Sequence, residues 1–486
     1  MSSPAKYATL FVGCVIFHLL GTWSLPLVDR DEPRFAEASR EMIERHDYVI
    51  PYFNNQFRFD KPPLTYWAQI ASYKIFGEND FGARFPSAIA AGLIALSIVV
   101  RGKHIGGERV AWFAAIIFTL CLQTFIHAKA AVADMWLALF VTMAHWSGIE
   151  LLGFGNRQSN FENPQSAMRD RQWPWWFIFY ISLALGFLAK GPIAWAPLLT
   201  VASTKLYAPE LSLCRRFKFV RGILFMLALV SLWGIPALLR THGEFFRIGI
   251  GRHVIGRSFG AMEGHGANSL GLYFLVLPFY FITVFASFFP WSIKLPALAK
   301  RLWKTRNNID NYLISGVIII FIIFSLVKTK LPHYTLPAFG LLALLLARHW
   351  PAQQTRLFQW ITAATLAVLA AIALLVPPVI AASFPAYDLY QKARNSLQPE
   401  MEFGAVDYQE PSLVWYFRSR VRGFMTPLNK KRAADFMSRP GPRFLVESSP
   451  APLASDLSPG WERFSTEGFN IPKGKKVDLT LVMKPQ

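Results

Sequence analysis

Two carboxylates stand where an apolar segment gives way to a charged one. Asp31 and Glu32 follow the apolar residues 7–28, and Pro33 comes next, a residue that suits the first turn of a helix. A helix N-terminus favours carboxylates because its free N–H groups carry partial positive charge. Carboxylates at such a position can also bind an acceptor or a metal ion, so Asp31 and Glu32 are candidates for chemistry as well as for capping the helix.

The residues after this pair predict an amphipathic helix at a membrane interface. Phe35, Ala38 and Met42 are spaced to share one helical face. The charged residues on the other face, such as Glu37 and Arg40, are equally well explained as solvated ion pairs three or four residues apart. A structural and a functional role are therefore equally consistent with the charged residues of this helix.

A second chemical signal is the Asp60–Lys61 pair, which two prolines follow. The residue before a proline is restricted to extended geometry, so the Lys61 ammonium can be aimed at an anion. Mutual neutralisation of Asp60 and Lys61 is as consistent with the spacing as phosphate binding.

More cations gather in a glycine-rich loop, residues 241–268, which contains Arg257 and His265. Arginines in such a loop suit an anion such as a phosphate or a lipid head group. The glycines do not form a nucleotide-binding fingerprint, because no strand precedes them. His265 can be read either as a metal ligand or as a hydrogen-bonded loop residue.

Ionisable residues also mark the ends of other apolar segments. Lys330 and Tyr334 lie in one such junction, and Asp134 and Lys190 lie near the outer ends of two others. Ionisable groups at membrane depth are functional candidates by default. Lys190 can instead extend its ammonium to the interface without a functional role.

The elements that must position these groups are membrane helices. Of the 486 residues, 53% are hydrophobic and only 16% are charged, which is a poor match for a soluble protein. A membrane-spanning helix needs about 20 mostly apolar residues. We expect about eleven spans, near 7–28, 84–101, 110–127, 131–151, 173–189, 191–205, 222–240, 269–293, 311–327, 333–348 and 357–382.

The net charge of +20 predicts the orientation of these spans. The 42 Phe and 16 Trp lie in apolar runs and are not interleaved with basic residues, so no nucleic-acid partner is expected. Lys and Arg instead collect in alternate loops, and cytoplasmic loops retain positive charge. The pattern predicts that residues 29–83, residues 241–268 and everything after 383 face outward. The three cysteines indicate no disulfide framework.

The composition changes near residue 384, where Pro, Gly, Ser and charges alternate with short β-type runs. Helices are expected at 412–417 and 431–437, and strands at 444–446 and 477–483. The predicted fold is an all-α polytopic membrane protein, residues 1–383, followed by a small soluble α/β domain, residues 384–486.

Four segments together form a recognisable set: Asp31-Glu32, Ala36 to Met42, Asp60-Lys61-Pro62 and Lys330 to Tyr334. The set resembles the membrane glycosyltransferases of the GT-C class. It is most similar to the lipid A aminoarabinose transferases, within the wider superfamily of protein O-mannosyltransferase-like enzymes. The resemblance extends over roughly residues 7–350 and implies thirteen spans, two more than the hydrophobic segments indicate.

The resemblance implies an enzyme that transfers a sugar from a polyprenyl-phosphate carrier with inversion at the anomeric carbon. The acceptor lies on the outer face of the cytoplasmic membrane, and a glycolipid of the lipid A type is favoured. Asp31 matches the main catalytic carboxylate of the family, and Asp134 matches a second acidic position. No nucleotide is needed, because the carrier remains in the bilayer.

The same resemblance assigns residues to the donor phosphate and to a metal. Lys61, Arg257 and Tyr334 are expected at the phosphate, together with Lys330. The family has a Glu where this chain has Asp60, and this position is associated with a divalent metal together with a histidine that resembles His265. Asp60 is one methylene group shorter than the Glu of the family, so this position is compatible both with a bound metal and with none.

Three other functions remain compatible with the sequence. The first is a protein O-mannosyltransferase-like enzyme that acts on exported proteins. The second is a transporter or flippase of lipid-linked sugars, although the hydropathy shows no pair of similar halves and the ionisable clusters lie on one side of the membrane. The third is a non-catalytic scaffold that binds lipid.

Overall fold

The computed structural model describes residues 3–154, 164–249, 251, 270–448 and 460–484. Most of these residues are helical. The helices are Ser3–Leu19, Asp31–Glu44, Leu64–Phe76, Asp80–Gly106, Glu108–Leu120, Leu122–His127, Asp134–Leu152, Pro164–Lys190, Ala196–Ser203, Leu213–Phe217, Phe219–Arg240, Leu270–Leu275, Phe279–Ser287, Leu295–Thr305, Asn308–Leu326, Phe339–Arg348, Thr355–Ile380, Pro385–Ala393, Pro411–Phe417 and Lys430–Ser438.

Within the described residues, six helical segments are long and apolar enough to cross a membrane. They are Asp80–Gly106, Asp134–Leu152, Gln172–Lys190, Leu213–Arg240, Asn308–Leu326 and Ala352–Ser383. A helix pair that is bent by 120°, Phe279–Ser287 with Trp291–Thr305, makes seven if it is counted as one span. The chain is therefore a multi-pass membrane protein.

This number is lower than the eleven to thirteen spans expected from the sequence, because several apolar segments fold as shorter helices. The segment predicted at 110–127 is interrupted at Cys121, and the segment at 333–348 contains the ten-residue helix Phe339–Arg348. The apolar helix Ser3–Leu19 has 17 residues. Hydrophobicity alone does not reveal such breaks, since the side chains on both sides of each break are apolar.

The contacts divide the chain into two compact units that are not continuous in sequence. The first unit contains residues 1–18, 59–65 and 86–369. The second unit contains residues 19–58, 66–85 and 370–486, so it combines most of the first predicted outward loop with the tail. Its boundary is thus not a single position near residue 383.

In the first unit, the helix Asp134–Leu152 packs against its neighbours through a close approach. A Cβ atom on Gly148 would lie 2.2 Å from the hydroxyl oxygen of Tyr312, so only glycine fits there. Tyr312 is fully buried and belongs to the helix Asn308–Leu326. This contact fixes the helix that begins at Asp134 against the helix that ends just before Lys330.

The strands of the second unit are β1 Tyr52–Phe53, β2 Gln56–Phe57, β3 Glu402–Val406, β4 Met425–Leu428, β5 Arg443–Glu447, β6 Glu462–Asn470 and β7 Lys475–Lys484. The tail folds around a five-stranded sheet with the strand order β4-β3-β5-β7-β6. The parallel strands are β3, β4 and β5, while β7 runs antiparallel to β5 and β6. The predicted tail helices at 412–417 and 431–437 and the predicted strands at 444–446 and 477–483 are confirmed.

The helix Asp31–Glu44 also belongs to the second unit, and it confirms the predicted helix but not its exposed charged face. Ten of its fourteen residues are buried. Glu37 accepts a hydrogen bond of 2.8 Å from Arg40 and a second one from Arg418 in the tail. The Arg40 guanidinium lies 3.9 Å from the centre of the Trp415 ring. The charged face is therefore covered by the tail, and its ion pairs are buried.

We predict that Glu37→Gln destabilises the protein. The substitution leaves Arg40 and Arg418 without their shared anion, and breaking a buried ion pair typically costs about 3–5 kcal/mol. The thermal midpoint of the detergent-solubilised protein should fall by several degrees.

The matched control for Glu37→Gln is Asp435→Asn, which removes a pair between two exposed side chains, Asp435 and Arg439. Such a pair contributes little. A double-mutant cycle with Arg418→Met should give a coupling energy well above zero. Equal effects of Glu37→Gln and Asp435→Asn would show that the buried network does not stabilise the second unit.

Candidate active site

A buried ion pair joins the ends of two membrane helices in the first unit. Asp134 is the first residue of Asp134–Leu152, and Lys190 is the last residue of Pro164–Lys190. The distance from Lys190 Nζ to Asp134 Oδ1 is 2.5 Å. Asp134 is only 7% exposed, so its charge needs a partner. The ambiguous Lys190 thus pairs with one of the two predicted catalytic carboxylates.

Two histidines stand beside this pair. His333 Nε2 lies 3.8 Å from Asp134 Oδ1, and the rings of His127 and His333 are 4.7 Å apart between their centres. One ligand atom from each of His127, Asp134 and His333 lies within 4.8 Å of the others, which is a possible metal-ligand group. Neither histidine is among the site residues predicted from the sequence, although His333 lies inside the segment from Lys330 to Tyr334 and His127 ends an apolar helix seven residues before Asp134.

Two residues predicted at the donor phosphate belong to the same region. Tyr334 is buried, and Lys190 Nζ lies 5.1 Å from the centre of its ring. Burial, together with cations that include Lys61 and Lys190, lowers the pKa of His333 to about 3, although the Asp134 carboxylate opposes the shift. Lys61 is therefore close enough to act on His333, and its Nζ donates to the carbonyl oxygen of Asp60 at 3.2 Å. The structure thus groups Asp134, Lys190, His333 and Tyr334, with Lys61 within electrostatic reach of His333.

Lys330 has a different environment. Its Nζ donates to the carbonyl oxygens of Phe324, Ser325 and Val327 at 3.0, 2.5 and 2.5 Å, which uses all three N–H groups of the ammonium. Burial lowers the pKa of Lys330 to about 8. Lys330 thereby caps the carbonyl end of the helix Asn308–Leu326, and its expected contact with the donor phosphate stays a prediction.

In the second unit, the two neighbouring carboxylates Asp31 and Glu32 have opposite surroundings. Glu32 is buried and accepts hydrogen bonds from Arg84 at 2.7 and 2.9 Å. Arg84 also donates to the carbonyl oxygens of Thr22 and Pro26, so this pair holds the chain that leads into the helix. The Asp31 side chain is exposed and makes no ion pair or hydrogen bond with other described residues. Glu32 is therefore a structural residue, whereas Asp31 is available for chemistry.

Asp29, two residues before Asp31, ties this segment to the tail. Its carboxylate accepts hydrogen bonds from the backbone N–H and the hydroxyl of Ser412, at 2.9 and 2.5 Å. Burial raises the pKa of Asp29 to about 7; the Ser412 hydrogen bonds oppose the shift, Glu410 adds to it, and Arg34 weakly lowers it.

Two predicted site residues, Arg257 and His265, lie outside the described residues. The phosphate contact of Arg257 and the metal pair of Asp60 with His265 therefore remain predictions. Asp60 itself is half-buried in the first unit.

The sequence has relatives among known proteins. Residues 60–159 match the sequence model of the family described as dolichyl-phosphate-mannose-protein mannosyltransferase. An undecaprenyl phosphate-alpha-4-amino-4-deoxy-L-arabinose arabinosyl transferase of Erwinia tasmaniensis is 29% identical over 358 residues, which are 71% of this chain and 59% of that protein. The protein of the same name from an Enterobacter species is 28% identical over 452 residues, covering 89% of this chain and 73% of that one.

The chain spans about three fifths of the length of the Erwinia relative and of a similar relative from Aeromonas salmonicida. The crystal structure of ArnT from Cupriavidus metallidurans bound to undecaprenyl phosphate matches with a TM-score of 0.75 and 18% identity, over 100% of both chains. This likeness shows a GT-C membrane fold. The resemblance inferred from the sequence motifs is thus confirmed.

The raised pKa of Asp29 predicts how stability depends on pH. Its folded pKa of about 7 lies above the ordinary value of 3.8, so the folded state holds a proton that the unfolded state releases. The contribution of the Asp29 carboxyl group to the free energy of unfolding is fully present below about pH 4 and is lost as the pH rises to about 7. Asp29→Asn should flatten this decline in the thermal midpoint.

Some pH dependence should persist in Asp29→Asn, because burial also raises the pKa of Glu41 to about 7. Asp435→Asn, at an exposed position, should leave the decline unchanged. If the Asp29→Asn profile between pH 4 and pH 7 matches that of the unmodified protein, the Asp29 carboxylate titrates normally and the assigned cause is wrong.

Proposed function

We propose that this protein transfers a sugar from a polyprenyl-phosphate carrier to an acceptor on the outer face of the cytoplasmic membrane. The observation that carries the proposal is the cluster of Lys190, His333 and Tyr334 around the buried Asp134, where two membrane helices end, with Lys61 within electrostatic reach of His333. The likeness of the fold to a structure that holds undecaprenyl phosphate supports it.

The chemistry of the carrier explains why such a cluster suits it. A polyprenyl-phosphate sugar cannot leave the bilayer, so the protein must bind its phosphate and sugar at the membrane surface, where membrane helices end. Lys61 supplies a cation in a segment that two prolines restrict, and an ammonium is a good partner for a phosphate. A carboxylate near the anomeric carbon can stabilise the positive charge that develops there during transfer. Asp134 serves this second role.

Asp31 is the carboxylate that acts on the acceptor. It is exposed and unpaired among the described residues, so it is free to take a proton. With a hydroxyl acceptor, Asp31 serves as the general base. With a phosphate acceptor, which is already anionic, it orients the acceptor instead. Arg257, Lys330 and Tyr334 remain the further proposed contacts of the donor phosphate.

The acceptor favoured here is a glycolipid of the lipid A type, and the sugar is an aminoarabinose. The names of the Erwinia and Enterobacter relatives support this choice of donor. The match to the mannosyltransferase family over residues 60–159 makes transfer to exported proteins the second candidate. Both functions place residues 29–83 and the tail outside the cytoplasm, as the distribution of Lys and Arg predicts.

Mass spectrometry of envelope lipids and glycoproteins, with and without the gene, tests the proposal. We expect lipid A to lose a mass of one aminosugar in the deletion strain and to regain it on complementation. Loss of hexose from Ser or Thr of exported proteins would favour the mannosyltransferase-like function. If the set of glycans is unchanged and the distribution of the carrier between the leaflets is altered, the transferase function is contradicted and a flippase is favoured.

We predict that Asp31→Asn folds and binds the donor but loses transfer activity. The amide keeps the size of the side chain and removes its charge, and losing a general base typically costs about 10²–10⁴-fold in rate. The measurement is kcat of the purified protein with a polyprenyl-phosphate sugar and the acceptor that mass spectrometry identifies.

The control for Asp31→Asn is Asp435→Asn, which changes an equally exposed aspartate in the tail and should keep the full rate. A rate for Asp31→Asn within about threefold of the unmodified protein, at equal thermal midpoint, would remove Asp31 from the reaction and leave Asp134 as the candidate carboxylate.

A further inference from the structure

We propose that His127, Asp134 and His333 form a binding site for a divalent transition metal of the zinc class. These residues lie in three separate segments of the first unit, and only Asp134 was among the sites predicted from the sequence. The proposal goes beyond the proposed sugar transfer and does not rest on it, because the ligand atoms themselves carry the argument.

The geometry needs only small side-chain movements. The three ligand atoms lie within 4.8 Å of one another, and His333 Nε2 is already 3.8 Å from Asp134 Oδ1. Zinc bonds of roughly 2.0–2.2 Å in a tetrahedral arrangement put neighbouring ligand atoms about 3.3 Å apart. Each ligand atom therefore has to move by about 1 Å, which rotation about side-chain bonds supplies.

His127 has the neighbour that a metal-bound histidine needs. Its Nδ1 is 2.8 Å from the amide nitrogen of Gln123, one helical turn earlier. The oxygen and nitrogen of such an amide are assigned by their hydrogen bonds, so Gln123 can equally present its oxygen to an Nδ1–H. In that state His127 Nε2 keeps its lone pair for a metal, and Gln123 holds the ring in place.

The donor set defines the class of metal. Two imidazoles and one carboxylate suit Zn²⁺ and its first-row neighbours better than Mg²⁺ or Ca²⁺, which prefer all-oxygen sites. Three protein ligands also leave one tetrahedral position open. That position would accept an oxygen atom from water or from an anion.

Substitution of Lys190 tests the proposal, because the expected change in metal affinity has a definite direction. Its ammonium now lies on Asp134 Oδ1, so a metal ion must displace it or share the carboxylate with it. Lys190 is the last residue of the helix Pro164–Lys190, because Gly191 after it has a positive φ of +88° that interrupts the α-helix. Removing this competing charge should strengthen metal binding, whereas removing a ligand should weaken it.

The experiment measures metal binding to the full chain, purified without a histidine tag and stripped with a chelator. Zn²⁺ content is determined by mass spectrometry after dialysis, and Co²⁺ is titrated while its visible absorption is recorded. We expect one equivalent in the unmodified protein. His127→Ala and His333→Ala should each weaken Co²⁺ binding at least about tenfold, and Lys190→Met should strengthen it.

His104→Ala is the matched control, because His104 is an exposed histidine of the same unit outside the cluster. It should bind the metal as the unmodified protein does. Thermal midpoints of the metal-free proteins identify any variant that fails to fold, and Lys190→Met retains all three ligands, so it tests the site independently. Equal binding by the unmodified protein and by His127→Ala with His333→Ala combined would overturn the proposal. Because no sugar transfer is measured, this result would leave the proposed function standing.

Discussion

A charge that is removed from water must meet an opposite charge or several hydrogen bonds, and this requirement organises both units of the protein. In the second unit, Glu37 lies between Arg40 and Arg418, and Glu32 is held by Arg84. Helix Asp31–Glu44 cannot leave this environment without exposing several unpaired charges at once. In the first unit, the same requirement joins Asp134 to Lys190 and places Lys330 on three carbonyl oxygens. The positions of the candidate reacting groups thus follow from the pairing of the other charges.

The sequence predicted those elements whose signals are local. The helix that begins near Pro33 and includes Met42, the two tail helices and the strands at 444–446 and 477–483 follow from periodicity and composition, and the structure contains them. Asp134 was predicted as a site residue because an acidic residue near the end of a membrane segment has an unfavourable free energy of insertion and usually has a function. Within the described residues, fewer helices reach the length of a span than the hydrophobic segments indicated, because breaks such as the one at Cys121 leave the hydrophobicity unchanged.

Other features depend on contacts between distant segments, which a single sequence does not reveal. His127 and His333 are more than 200 positions apart, so the sequence does not reveal that their side chains lie next to each other. Lys330 is predicted at the donor phosphate because its charge stands at a helix junction, but its hydrogen bonds to the carbonyl groups at the end of the preceding helix could not be predicted. The buried charged face of Asp31–Glu44 was likewise hidden, since Arg418 and Trp415 lie almost 380 positions later.

The discontinuous second unit has a consequence for biosynthesis. Residues 19–58 and 66–85 are made before the membrane helices between residues 86 and 369, and residues 370–486, which belong to the same unit, are made after them. While the ribosome adds the intervening membrane helices, Glu37 and Glu41 have no Arg418 to pair with. Contacts between such distant segments form slowly because a long loop must close first. The charged face of the early segment therefore acquires its buried ion pairs with Arg418 only after the tail has been made.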